Sequence, residues 1–135
     1  MNPSAVYDGD TLTATCPQGR VKVRVWGIDA PEMGQKPWGN QARDLLRDLV
    51  PARIRLEVKD RDRYGRTVAR VLDGDRDLGL ELVRRGAVVV YERYNDSTAY
   101  RRAQSEARRR EWGVWAREGS QQNPAAWRRV NARSS

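Results

Sequence analysis

Apolar and polar residues alternate from Val6 to Thr15 and again from Val21 to Ile28, with Pro17-Gln18-Gly19 between them as a turn signal. That pattern predicts a β-hairpin. The alternation returns at Ile54, Leu56 and Val58, and at Val68 to Leu72 after Tyr64-Gly65. Ala87 to Tyr91 is a short β-branched run suited to a buried fifth strand. Between the second and third of these segments the period changes. From Trp38 the apolar positions Ala42, Leu45, Leu46, Leu49 and Val50 recur at helical spacing, and Pro51 stops the helix. Leu78 to Arg85 reads as a shorter helix with Asp77 as N-cap and Gly86 as its end. Thr98 to Trp112 reads as a strongly basic third helix, with Tyr100, Ala103 and Ala107 on one side and Gly113 ending it.

Five short strands interrupted by one helix and followed by others predict an α+β fold. The simplest match is a five-stranded β-barrel of the oligonucleotide-binding type with about three packed helices. The barrel and its helices are expected to occupy residues 1–118. Beyond Glu118 the composition turns to Ser, Gln, Asn and Arg, and residues 119–135 read as a basic tail, partly ordered if Trp127 finds a pocket. A chain of 135 residues makes one compact domain and needs no second copy, so a monomer is expected. No apolar run approaches the ~20 residues that cross a bilayer, and no membrane role is expected. Met1 to Ala5 leads almost directly into a strand-like segment; a removed signal peptide would make the chain secreted or cell-envelope, and otherwise it is cytoplasmic.

Two compositional facts exclude chemistry. The chain has no histidine, which removes an imidazole base and a histidine-ligated zinc, and Cys16 is alone, which removes an internal disulfide framework and a cysteine-rich zinc site. The net charge of +8 points to an anionic partner. Most of the excess lies late in the chain, where residues 99–135 carry nine Arg against three Glu.

The residues that remain are charged and scattered: Asp8-Gly9-Asp10-Thr11, then Arg24 ahead of Asp29-Ala30-Pro31-Glu32, then Asp62-Arg63-Tyr64-Gly65-Arg66. Asp8 and Asp10 lie two apart, which on a regular strand turns both to one face. Asp10, Asp29 and the carbonyl of Ala30, with several waters, would make an oxygen-only shell suited to Ca²⁺; the other reading of Asp29-Ala30-Pro31-Glu32 is a helix or loop with an acidic surface. Arg24 offers a bidentate fork to a phosphate oxygen, and Arg66 at the next hairpin offers another. The second Asp-Gly-Asp, at Asp73-Gly74-Asp75, reads as an ordinary turn.

Taken together, these segments resemble the signature of the staphylococcal nuclease (thermonuclease) family. Leu82-Val83-Arg84-Arg85-Gly86, the basic helix with Ala103 and Ser105-Glu106-Ala107, and Gly113-Val114-Trp115 match in the same order, so the resemblance spans roughly residues 5–117. It implies a Ca²⁺-dependent nuclease that hydrolyses DNA and RNA, preferably single-stranded or unwound, with little sequence preference, leaving 3′-phosphate ends. Asp10, Asp29 and Ala30 would bind the metal, Glu32 would act as general base, and Arg24 and Arg66 would clamp the phosphate. Arg63 and Tyr64 match positions that bind a second phosphate, and Tyr94 matches an aromatic near the base. The chain departs from the pattern where another tyrosine is expected: Glu92 stands there, with Tyr91 one residue earlier. Two other readings stand beside the enzyme: a non-catalytic nucleic-acid-binding module on the same barrel, and a domain whose basic helix engages an acidic protein surface.

Overall fold

The computed structural model describes residues 1–132. β1 (Asn2–Asp8), β2 (Thr11–Cys16) and β3 (Gly19–Val25) form an antiparallel meander, and β4 (Ile28–Asp29) follows after Gly27. After α1 (Trp38–Leu49), β5 (Arg55–Arg61) and β6 (Thr67–Asp73) form a second hairpin, and β7 (Arg76–Asp77) folds back on β6. α2 (Leu78–Arg84), β8 (Val89–Val90), α3 (Thr98–Arg109) and α4 (Pro124–Ala132) complete the order, with 3-10 turns at Gly113–Ala116 and Ser120–Gln122.

The two hairpins join through a parallel seam, in which Val23, Arg24 and Val25 of β3 face Thr67, Val68 and Ala69 of β6. The resulting strand order is β1-β2-β3-β6-β5. Its two ends meet where Met1 and Ile54 exchange hydrogen bonds: the terminal amine donates to the Ile54 carbonyl at 2.9 Å and the Ile54 N–H to the Met1 carbonyl at 2.7 Å. This is the expected barrel. Its interior holds Leu12, Ala14, Val23, Val25, Ala69 and Val71, covered by Ala42 and Leu46 of α1, Leu78, Leu82 and Val83 of α2, and Tyr100 of α3. Asp77 ties two of these helices to the sheet. It caps α2 through the Leu80 N–H, accepts the Tyr100 hydroxyl at 2.6 Å, and pairs with Arg70 of β6.

Several expectations need correction. Val6 to Thr15 is two strands, because the chain turns at Gly9-Asp10, and this split supplies the fifth long strand. The run at Ala87 to Tyr91 contributes only Val89–Val90, which pairs with β4 outside the main sheet. Asp8 and Asp10 therefore do not share a strand face. Asp8 ends β1 and its carboxylate accepts the Asp10 N–H at 3.0 Å, a local bond that favours turning over extension. A fourth helix, α4, also joins the three that the spacing predicts.

Gly9 is required by a close approach. A Cβ built there lies 2.6 Å from Cβ of Ala42 on α1 and 2.9 Å from Cβ of Ala30, so the turn is pressed between the helix and the residue after β4. Gly9→Ala is expected to lower unfolding free energy by about 1–3 kcal/mol through overpacking. Urea denaturation checks this, and an unchanged midpoint would mean that the turn has slack.

Candidate active site

The Asp8-Gly9-Asp10 turn carries Asp10 into the protein at the corner where β4 ends. One Asp10 carboxylate oxygen accepts the Ala30 N–H at 2.9 Å and pairs with Arg24 at 3.2 Å, while the other accepts the Thr11 hydroxyl at 3.1 Å. The neighbouring carboxylates shift in opposite directions. Burial, with the Asp10 charge adding to it, pushes Asp8 up to about 7. Burial alone would also raise Asp10, but the Arg24 guanidinium and the Ala30 N–H hold it below the usual carboxylate range. Asp10 is thus the member of the pair that stays ionised.

Strand register brings the arginines to the same place. Thr11 of β2 faces Arg24 of β3, and the β3–β6 seam sets Thr67 beside Val23, so Arg66 enters β6 next to the Thr11 hydroxyl, 3.3 Å from its guanidinium. Asp62 aims Arg66. Its carboxylate accepts the Arg66 Nε–H at 2.6 Å and the backbone N–H groups of Tyr64 and Arg66 at 3.0 Å each. Slight burial opposes the charge on Asp62, but the Arg66 hydrogen bonds prevail and lower its pKa.

Asp29, only 2 % exposed, pairs with Val89 through β4 and β8, and its buried carboxylate needs a counter-charge. Arg128 of α4 supplies one, with two nitrogens at 2.9 Å from the two Asp29 oxygens and one of them 2.8 Å from Glu32. Glu32 is positioned by its backbone. Its N–H donates to the Gln35 side chain at 2.9 Å, and α1 crosses so near its carbonyl that Gly39 leaves no room for a Cβ.

The family model described as staphylococcal nuclease homologue matches residues 22–117, about seven-tenths of the chain. The chain belongs to the staphylococcal nuclease family. Similar proteins of that kind include an uncharacterized endonuclease of Haemophilus influenzae, 37% identical over 92% of this chain and 70% of its own length. An uncharacterized endonuclease of Escherichia coli O157:H7 is 35% identical over 82% of this chain and 73% of its own length. A micrococcal nuclease of Shigella flexneri is 33% identical over 93% and 78%. The family match stops before α4 and begins after Asp10, so both Asp10 and Arg128 lie outside the matched interval.

On this staphylococcal nuclease framework Asp10, Arg24, Asp29, Ala30, Glu32 and Arg66 form one connected cluster through Thr11, the Ala30 N–H and Arg128. Arg63 and Tyr64 stand at its edge on the β5–β6 hairpin. The Arg63 guanidinium donates to the Tyr64 hydroxyl at 2.9 Å, and Arg66 lies 5.7 Å from the ring of Tyr64, which is 69% exposed. Tyr94 is 63% exposed and leans on Tyr91, with ring centroids 5.2 Å apart. Tyr91, rather than Tyr94, lines a groove of about 520 Å³ that reaches Asp29, with Glu92, Arg93, Arg108 and Trp115 along it. Thr11, Asp62 and Arg128 are members of the cluster that sequence reasoning missed. Thr11 and Asp62 lie inside the quoted motifs, while the sequence reads Trp127 and the Arg128-Arg129 pair only as capping the fold or adding nonspecific phosphate contacts.

The donor set suits a hard cation. Asp10 accepts the N–H of Ala30, the residue next to Asp29, both carboxylates offer only oxygen, and the Arg128 guanidinium is already a cation on Asp29. Among the described residues no three acidic, histidine or cysteine side chains converge as a metal cluster.

Proposed function

We propose that the protein is a calcium-dependent nuclease hydrolysing phosphodiester bonds of DNA and RNA with little sequence preference, leaving 3′-phosphate ends and working as a monomer. The observation that carries this reading is the meeting of Asp10, Arg24 and Arg66 around Thr11, beside the Asp29–Ala30 corner. Carboxylates and forked guanidiniums at hydrogen-bonding distance accommodate a hard cation and a phosphodiester together.

Asp10, Asp29 and the Ala30 carbonyl would hold Ca²⁺, which when bound neutralises phosphoryl charge and keeps water near the phosphorus. The other roles fall to side chains. Arg24 and Arg66 take the non-bridging oxygens and meet the charge that grows on them as phosphorus becomes five-coordinate. Glu32 accepts a proton from the attacking water, whose oxygen bonds to phosphorus as the bond to the 5′ oxygen breaks. The departing 5′ oxygen takes its proton from solvent. Arg63 and Tyr64 reach a flanking phosphate, and Tyr94 offers a stacking face that tolerates any base, suiting single-stranded or unwound substrate.

Incubating heat-denatured DNA with the purified protein, in Ca²⁺ and in chelator, tests the reading. Degradation confined to the Ca²⁺ sample is expected. Cleavage that persists in chelator removes the metal from the reaction, and salt-sensitive DNA binding without cleavage makes the protein a non-catalytic module.

A further inference from the structure

Arg128 lies on two of the three carboxylates that the proposed chemistry uses. Its bidentate contact uses both Asp29 oxygens at 2.9 Å, and the Glu32 contact at 2.8 Å ties up the proton acceptor. A hard cation takes carboxylate oxygen at roughly 2.3–2.6 Å, which sets it against a guanidinium of like charge. Resting on the reading of Asp29 as a metal ligand and Glu32 as the base, we propose that α4 is an intramolecular competitor for the active site. Arg128 and a divalent cation exclude one another on Asp29, and α4 swings away when metal and substrate enter.

The way α4 is attached fits a releasable clasp. It is nine residues long, too short to be a stable helix by itself. Among its described residues only Pro124 is buried, while Ala125 to Arg128 are half-buried and Arg129 and Val130 are exposed. Trp127 lays its ring edge against Gly34, 3.1 Å from where a Cβ would stand, and Ser120 just before the helix accepts from Gln35 at 3.2 Å. Gln35 also receives the Glu32 N–H, so the loop that presents the base is the loop on which α4 rests. The buried charge of Asp29 is not stranded when α4 leaves, because the incoming cation replaces the guanidinium that neutralises it. Opening frees Asp29 and Glu32 together, because one guanidinium serves both.

Calorimetric titration with Ca²⁺ alone, on the full chain, measures the competition without reference to turnover. Arg128→Gln is expected to bind Ca²⁺ about tenfold or more tightly than the parent, since the fraction of seats already taken by the guanidinium falls away. Arg129→Gln removes the same charge from an exposed neighbouring position and should leave the affinity within twofold. Hydrogen exchange on the parent protein gives a second measurement that needs no variant: Ca²⁺ should speed exchange of the α4 amides while slowing those of the barrel. Equal affinity in Arg128→Gln and parent, or slower α4 exchange with Ca²⁺, overturns the clasp and leaves the metal site standing. Binding by neither protein overturns the metal reading and the clasp with it. Collapse of cleavage in Arg128→Gln at unchanged Ca²⁺ affinity also overturns it, making Arg128 a catalytic arginine.

Discussion

Glu32→Gln lowers kcat by about two to four orders of magnitude at saturating Ca²⁺ and substrate, the range that removing a positioned general base produces. The substitution keeps the shape and the acceptor oxygen but removes the proposed proton acceptor. The anchoring of the residue should survive. The Glu32 N–H to Gln35 bond and the crossing of α1 at its carbonyl are backbone contacts, indifferent to the side chain. Nucleotide affinity is therefore expected to stay near the parent value, and the loss should fall on kcat with little change in KM. A kcat within threefold of the parent takes Glu32 out of the proton-transfer role.

Arg66→Ala lowers kcat by about 10²–10³-fold, the cost of removing one donor aimed at charge that develops in the transition state. Arg24 is a less direct test of the same idea, because it also neutralises buried Asp10 and its removal strands that charge. Arg66 has no such second duty. Its partner Asp62 is partly exposed on a hairpin, and a pair of that kind contributes ~1 kcal/mol or less to stability. The melting temperature of Arg66→Ala should thus stay within a few degrees of the parent while turnover collapses. A rise in KM with kcat intact would assign Arg66 to substrate positioning alone. Asp62→Ala separates aim from charge: it leaves the guanidinium present but removes the three hydrogen bonds that orient its stem and turn. An intermediate loss is expected there.

What was legible in the sequence was whatever local pattern encodes. The apolar spacing from Ala42 to Leu49 with Pro51 beyond it placed α1, and Asp77 was readable as a cap because the bond to the Leu80 N–H spans only three residues. Alternation placed the barrel strands but not the break at Gly9-Asp10, since a two-residue turn flanked by alternating segments preserves their period. The break comes instead from Asp8 accepting the Asp10 N–H and from packing of Gly9 on Ala42, which is tertiary. The motif segments named most of the candidate site only through their joint resemblance to the family, because the contacts that gather them, Asp10 with Ala30 and Arg66 with Thr11, join residues far apart in the chain. Arg128 was beyond reach. It meets Asp29 across 99 residues of chain, from a segment whose composition announced only charge and a solitary tryptophan.

The parallel seam between β3 and β6 also bears on how the molecule folds. Each antiparallel hairpin forms from near neighbours in the chain, but Val23 meets Thr67 only after α1 and the second hairpin have closed a long loop. Arg24 belongs to one hairpin and Arg66 to the other, so neither carries more than half of the proposed phosphate clamp. During refolding, strand content can return while the two halves are still apart, and the reappearance of cleavage then clocks the docking of one hairpin on the other.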